Sequence, residues 1–181
     1  MMQAGIAMDP LQQARLLRGA LGRYPPGVTI GTTRGGDGRM VGLTVNSFAS
    51  LSLDPPLLLW SLANKSPSLR AFRSATHFAI NVLAQDQQAL ATRFATPSIV
   101  DKFEGIALHP DQDPTHDGVP LIGGAAAHFV CASRDAIEAG DHTLFVGRVA
   151  WFHGSSHAPL VYHAGGFVKL AQEQALEEVS T

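Results

Sequence analysis

Apolar positions along this chain fall mostly into short runs separated by turn residues, with only a few stretches at helical spacing. Leu11, Leu16, Leu17 and Leu21 recur at near-helical intervals after an Asp9-Pro10 start that suits a cap and a first helical position, which predicts a leading helix. Gly27 to Thr33 is rich in β-branched residues, Gly35-Gly-Asp-Gly38 is a turn, and Met40 to Val45 reads as a second strand, so the three together predict a hairpin. Leu57 to Leu62 and His77 to Leu83 read as buried strands, with Ala49 to Pro56, ahead of the first of them, read as polar and turn-forming. Ser68 to Ser74 and Asp86 to Ala95 have the composition of short helices, with Asp86 as the expected N-cap of the second. Residues 96–118 are loop-rich, and a second β half opens near Val119. It contains two long strands, Ala126 to Ile137 and His142 to Phe152, joined at Glu138-Ala-Gly-Asp141, and closes with Pro159 to Tyr162 and Phe167 to Leu170. Six or more strands linked mainly by hairpins predict an antiparallel barrel with a few short flanking helices, not a doubly wound sheet.

Composition narrows this picture. With 181 residues, 45% hydrophobic and 15% charged, the chain is large enough to bury a core without disulfides. It is expected to be one domain over 1–181, with a core of about 24–170 and flexible ends at 1–9 and 171–181. A net charge of −2, with Lys and Arg scattered singly, argues against a nucleic-acid or membrane-surface partner. No apolar stretch approaches the roughly 18 residues of a membrane span, and Cys131 is the single cysteine, so a reducing cytoplasm is the expected location.

Several familiar sites are excluded by spacing. Gly31 and Gly36 stand as in a phosphate-binding loop, but Asp37 occupies the position that requires Lys. No Gly-x-Gly-x-x-Gly follows a strand and opens a helix, and no Gly-x-Ser-x-Gly elbow occurs. His153 with His157, or His109 and His116 with Asp111, Asp113 and Asp117, match no strong metal-ligand spacing, so no metal is expected. The segment Thr44-Val-Asn-Ser-Phe48 is different. It places several donors and acceptors in a short span, which suits the polar edge of a flavin ring, with Phe48 available to cover an apolar ring face.

The ordered set Thr44-Val45-Asn46-Ser47-Phe48, Ser50 to Leu57, Asn64-Lys65-Ser66, Phe78 to Leu83, Gly140-Asp-His142 with Gly147-Arg-Val149, and Pro159 to Tyr162 resembles the short-chain flavin reductases, from about Tyr24 to Leu170. The resemblance implies an FMN-binding split β-barrel and a homodimer. It also implies NADH- or NADPH-dependent reduction of FMN or FAD, with reduced flavin passed to a partner monooxygenase. It places Thr44, Val45, Asn46, Ser47 and Phe48 along the flavin ring and ribityl chain, largely through backbone groups. Ser61, Ala63, Asn64 and Ser66 fall at the ribityl and phosphate end, with Lys65 adding positive charge; the same segment also reads as a helix start capped by Ser66 or Ser68. Phe94, Lys102 and Phe103, with Arg93, match a basic-aromatic loop beside the flavin. Tyr162 and Phe167, with Gly165 and Gly166, match the closing strand and turn, where an aromatic near the nicotinamide and plain core packing are both open. His142 is the expected contact to the nicotinamide, positioning it rather than attacking it. A non-catalytic flavin- or haem-binding barrel, or an oxidoreductase with another electron acceptor, is the alternative on the same scaffold.

Overall fold

The computed structural model describes residues 9–110 and 117–170. The flexible ends expected from sequence, apart from Asp9 and Leu170 at the borders, lie outside the described residues, as do Asp111, Asp113 and His116.

Helix α1 (Pro10–Leu21) leads, followed by strands β1 (Thr29–Arg34), β2 (Met40–Val45), β3 (Ala49–Leu53) and β4 (Pro56–Ala63). Helix α2 (Leu69–Ser74), strand β5 (His77–Val82) and helix α3 (Gln88–Ala95) come next. The long hairpin β6 (Ala127–Ala139) and β7 (His142–Gly154) and the short β8 (Val161–His163) and β9 (Gly166–Val168) complete the chain. Seven strands form one antiparallel sheet in the order β2-β1-β5-β6-β7-β4-β3, and β8 and β9 pair beside it. This is the mainly β, antiparallel architecture of the split barrel.

The two edge strands of the large sheet, β2 and β3, are neighbours in sequence, so the link between them crosses the split. Ser47 in that link ties the two sides: its hydroxyl donates to Ser61 O (3.0 Å) and accepts from Ser61 N (2.9 Å) on β4. Here a side chain replaces a pair of ladder hydrogen bonds.

Strand β4 alternates strictly, turning Leu58, Trp60 and Leu62 inward. Trp60 stacks on Phe145 at 4.8 Å and meets Phe72 edge-on at 4.8 Å, forming the centre of one core cluster. A second cluster, with Val28, Ile30, Leu83, Phe94 and Leu160, lies under α3. Gly42 on β2 makes that packing possible, because a Cβ there would stand 2.6 Å from Phe94 Cε1.

Two expectations are corrected. Ala49–Leu53 is a strand, β3, paired with β4 through a bulge between Ser50 and Ser52. Its side chains are mostly exposed, so an edge strand lacked the apolar pattern of a buried one. Asp86 does not cap α3. The N-cap position is Gln87, whose side chain accepts from Ala84 N (2.9 Å) and donates to Gly123 O (2.8 Å), fastening the loop ahead of the helix. The leading helix forms as expected, yet Leu11, Leu16, Leu17 and Leu21 are all exposed. Among the described residues no helix is long and apolar enough to cross a membrane.

Candidate functional site

The site begins where β2 ends. Thr29 Oγ1 donates to Val45 O (2.9 Å) and Thr44 Oγ1 donates to Ala91 O (2.7 Å), which fixes the approach of the β2–β3 link to α3. An open cavity of about 490 Å³ lies there, bounded by Val28, Thr44 to Asn46, the small residues Ala91, Thr92, Ala95 and Thr96 of α3 and its end, and the β8–β9 turn. Five of the expected residues, Thr44, Val45, Asn46, Tyr162 and Phe167, line this one cavity. Tyr162 and Phe167 meet edge-on at 5.4 Å and pack on the second core cluster as well as lining the cavity. The volume is that of a small-molecule site, and the lining combines an apolar floor with hydroxyl, amide and peptide groups at one edge.

From the cavity the expected residues continue across the split. Ser47 reaches Ser61, and β4 then runs to Ala63, which pairs with His142 on β7. Asn64 N donates to Asp141 O (2.8 Å), Asn64 Nδ2 donates to Gly140 O (3.3 Å), and Asn64 Oδ1 accepts from Thr143 Oγ1 (2.8 Å). Lys65 is exposed beside this turn, and Ser66 Oγ accepts from Ser68 N (3.3 Å) at the entry to α2.

His142 is partly exposed, and its Nδ1 lies 2.7 Å from Asp141 Oδ1. A carboxylate only accepts, so Nδ1 carries a proton, and in the neutral form of the ring Nε2 is then the acceptor. The hydrogen bond from His142, its charge when protonated, and Lys65 hold the Asp141 carboxyl below its usual range, keeping that acceptor ionised.

The basic-aromatic loop is held by contacts within the protein. Phe94 is a core side chain, 1% exposed, and stacks edge-on against Phe103 at 5.0 Å. Arg93 donates to Asp101 O (3.1 Å) and Glu104 O (2.8 Å), and Lys102 Nζ donates to Phe94 O (2.7 Å) at the end of α3. Both cations therefore fasten the 101–104 loop to α3, where an ammonium favours the carbonyl end of a helix. Burial pushes the Lys102 ammonium down from its ordinary range. Lys102 and Phe103 line a separate cleft of about 290 Å³ with Gly42, Pro67 and Ser68. Phe48 is likewise turned away from the 490 Å³ cavity; its ring lies 5.6 Å from Phe129 in an apolar groove on the β3–β4 side.

Sequence reasoning missed Thr92, Ala95 and Thr96 on the cavity wall. Their signal was the recurrence of small residues at 91 and 95, one turn apart on the same helix face. It also missed Thr143, Arg73 and Glu138, which surround the His142 turn: Arg73 Nη2 donates to Glu138 Oε1 (2.6 Å) and to Thr143 Oγ1 (3.2 Å). Their partners are 65 and 70 residues away in sequence, so no local pattern revealed them.

Comparison with known proteins agrees with this arrangement. The chain is 41% identical over 162 residues to the FMN reductase (NADH) SmoA of Agrobacterium fabrum, covering 90% of this chain and 89% of that protein. It is 41% identical over 160 residues to the reductase component of the flavin-dependent trigonelline monooxygenase of Acinetobacter baylyi, but spans only 50% of that longer protein. Among solved structures, nitrilotriacetate monooxygenase component B of Mycobacterium thermoresistibile superposes with a TM-score of 0.87 at 32% identity, over 96% of this chain and 95% of that one. The NADH:FAD oxidoreductase SgcE6 of Streptomyces globisporus, solved with NAD and FAD fragments, gives a TM-score of 0.83 at 32% identity, over 94% of this chain and all (100%) of that one. The flavin reductase like domain model matches residues 21–171, and with the shared fold and the ordered site residues this makes the chain a member of the flavin reductase like domain family.

Proposed function

We propose that the chain is an NAD(P)H-dependent reductase of FMN or FAD that passes reduced flavin to a partner monooxygenase. The observation that carries this reading is the match to the Agrobacterium FMN reductase (NADH), which spans about nine-tenths of both chains. Flavin, when bound, supplies the N5 atom that accepts a hydride from the nicotinamide. The protein's own task is to hold two rings together and exclude water, and no nucleophile is required.

The residues present fit that task. Thr44, Val45 and Asn46 edge a mainly apolar cavity, which suits a planar ring with one polar margin. Ser61, Ala63, Lys65 and Ser66 provide hydroxyl, peptide and ammonium donors for the ribityl and phosphate end. Lys102 retains two N–H donors beyond the one given to Phe94 O. His142, with its proton on Nδ1, offers Nε2 to the carboxamide N–H of the nicotinamide.

A homodimer belongs to the same reading. Leu51, Leu53 and Phe152 are exposed beside the groove of about 350 Å³ that holds Phe48 and Phe129, an apolar surface suited to a second copy. A cytoplasmic location suits a chain whose single cysteine is buried and free.

The test is anaerobic NADH and NADPH oxidation at 340 nm with FMN, FAD or no flavin, following flavin bleaching at the same time. Stoichiometric bleaching with either flavin is expected. Flavin binding without reduction by either nucleotide would move the function to a flavin-binding barrel or to another electron donor.

A further inference from the structure

We propose that Asn64 and Thr143 form a clasp that positions His142, so that the segment holding the flavin phosphate also sets the geometry of the nicotinamide contact. This rests on the reading of His142 given above. The resemblance places the Asn64 side chain at the flavin, but its amide is engaged elsewhere. Through its backbone N–H, Nδ2 and Oδ1, Asn64 bonds Gly140, Asp141 and Thr143, the residues on both sides of His142. Lys65 and Ser66, which follow directly, are the proposed phosphate donors, so one rigid step in the chain separates the two sites.

Thr143 completes the clasp from below. It is fully buried, and its hydroxyl donates to Asn64 Oδ1 while accepting from Arg73 Nη2. The same guanidinium nitrogen is held by Glu138 on β6, which ties the base of the turn to α2. His142 itself pairs with Ala63 on β4 and Ala139 on β6, so its backbone is fixed on two sides and its ring is fixed by Asp141. A partly exposed imidazole next to a two-residue turn would otherwise sample several orientations, and the clasp removes that freedom before the nucleotide arrives.

Thr143→Val keeps the shape and removes the hydroxyl, leaving Asn64 Oδ1 and one Arg73 N–H without their partner; Thr143→Ser keeps the hydroxyl. The experiment measures KM for NADH and Kd for flavin in both variants, with histidine-labelled 15N NMR of His142. For Thr143→Val, KM should rise roughly five- to tenfold, the effect of one to two lost hydrogen bonds. Flavin Kd should stay within about twofold, because the backbone bonds Asn64 N to Asp141 O and Ser66 N to Ala63 O still hold the 64–66 step in place. The His142 signal should broaden or shift toward a tautomer mixture. Thr143→Ser should restore all three readings. Arg73→Met, on a partly exposed side chain, serves if Thr143→Val does not fold, and should raise KM by about twofold. If wild-type protein reduces flavin and KM and the His142 signal are unmoved in these variants, the clasp is refuted while the reductase reading stands. If wild-type protein does not oxidise NADH in the presence of flavin, that reading fails and the clasp fails with it.

Discussion

The two ends of the candidate site are built on opposite plans. At the cavity between β2, α3 and the β8–β9 turn, polar side chains are turned inward to hold the backbone: Thr29 and Thr44 both donate to main-chain carbonyls. What remains facing the space is peptide edge, small side chains and aromatic rings. At the β6–β7 turn the reverse holds, with Asn64, Asp141, His142 and Thr143 presenting side-chain chemistry in a connected hydrogen-bonded group. The cavity can select by shape and the turn by proton placement. A planar ligand suits the first, and a carboxamide suits the second.

Substitutions at either end should therefore fail differently. The largest effect is expected from Ala95→Phe, which fills the cavity from an exposed position on α3. Flavin Kd, read by fluorescence quenching, should rise about a hundredfold, while thermal stability stays within about 0.5 kcal/mol. Unchanged flavin affinity would remove the cavity from the flavin site. Gly42→Ala should cost about 1–3 kcal/mol in urea unfolding, because the new methyl must displace the Phe94 ring. His142→Ala should raise KM for NADH about tenfold, the loss of one good polar contact, with flavin Kd within about twofold. Equal losses in both would abolish the distinction between the two ends.

The smallest effect concerns acid stability, away from both ends. His128 is 1% exposed, donates from Nε2 to Ile122 O (2.8 Å), and has no partner for Nδ1 among the described residues. Burial first, and then the nearby imidazoles of His109 and His153, push its pKa below 6.5, although the bond to Ile122 opposes this. The folded chain keeps His128 neutral while the unfolded chain takes up a proton as pH falls through 6.5. Stability from this group is thus level above pH 6.5 and declines below it, by at most about 1.4 kcal/mol per pH unit. Urea midpoints at pH 7.5 and 5.5 should converge in His128→Gln relative to the wild type. An unaltered pH slope would show that His128 takes up its proton equally in the folded and unfolded chain.

Much of the fold was readable because the hairpins carry their own punctuation: Gly35 to Gly38 and Gly140-Asp141 each mark a turn between β-branched runs. Strand β3 was not readable, since an edge strand with exposed side chains lacks a buried face to announce it. In the site, the residues that repeat a family pattern were placed in order, but the atoms they use were not. Thr44 and Ser47 were expected near the flavin by residue type, and their hydroxyls serve Ala91 and Ser61. Arg93 and Lys102 were read as the cations of a loop beside the flavin, and both bond carbonyls around α3. Such partners lie across the fold, and only tertiary structure reveals which of a residue's donors is already engaged. The α1 leucines show a related limit: helical spacing revealed an apolar stripe but not that it faces outward.

The position of Cys131 bears on survival in air. It lies on β6 with no exposed surface, against Phe78 and beneath Gly147, where a Cβ would stand 2.7 Å from its own. Burial pushes its thiol up to about 12, so at neutral pH it stays in the protonated form and not as the oxidisable thiolate. Under the proposed activity, any reduced flavin that escapes its acceptor meets oxygen and yields peroxide close to the enzyme that made it. The chain's single thiol is sealed away from that by-product.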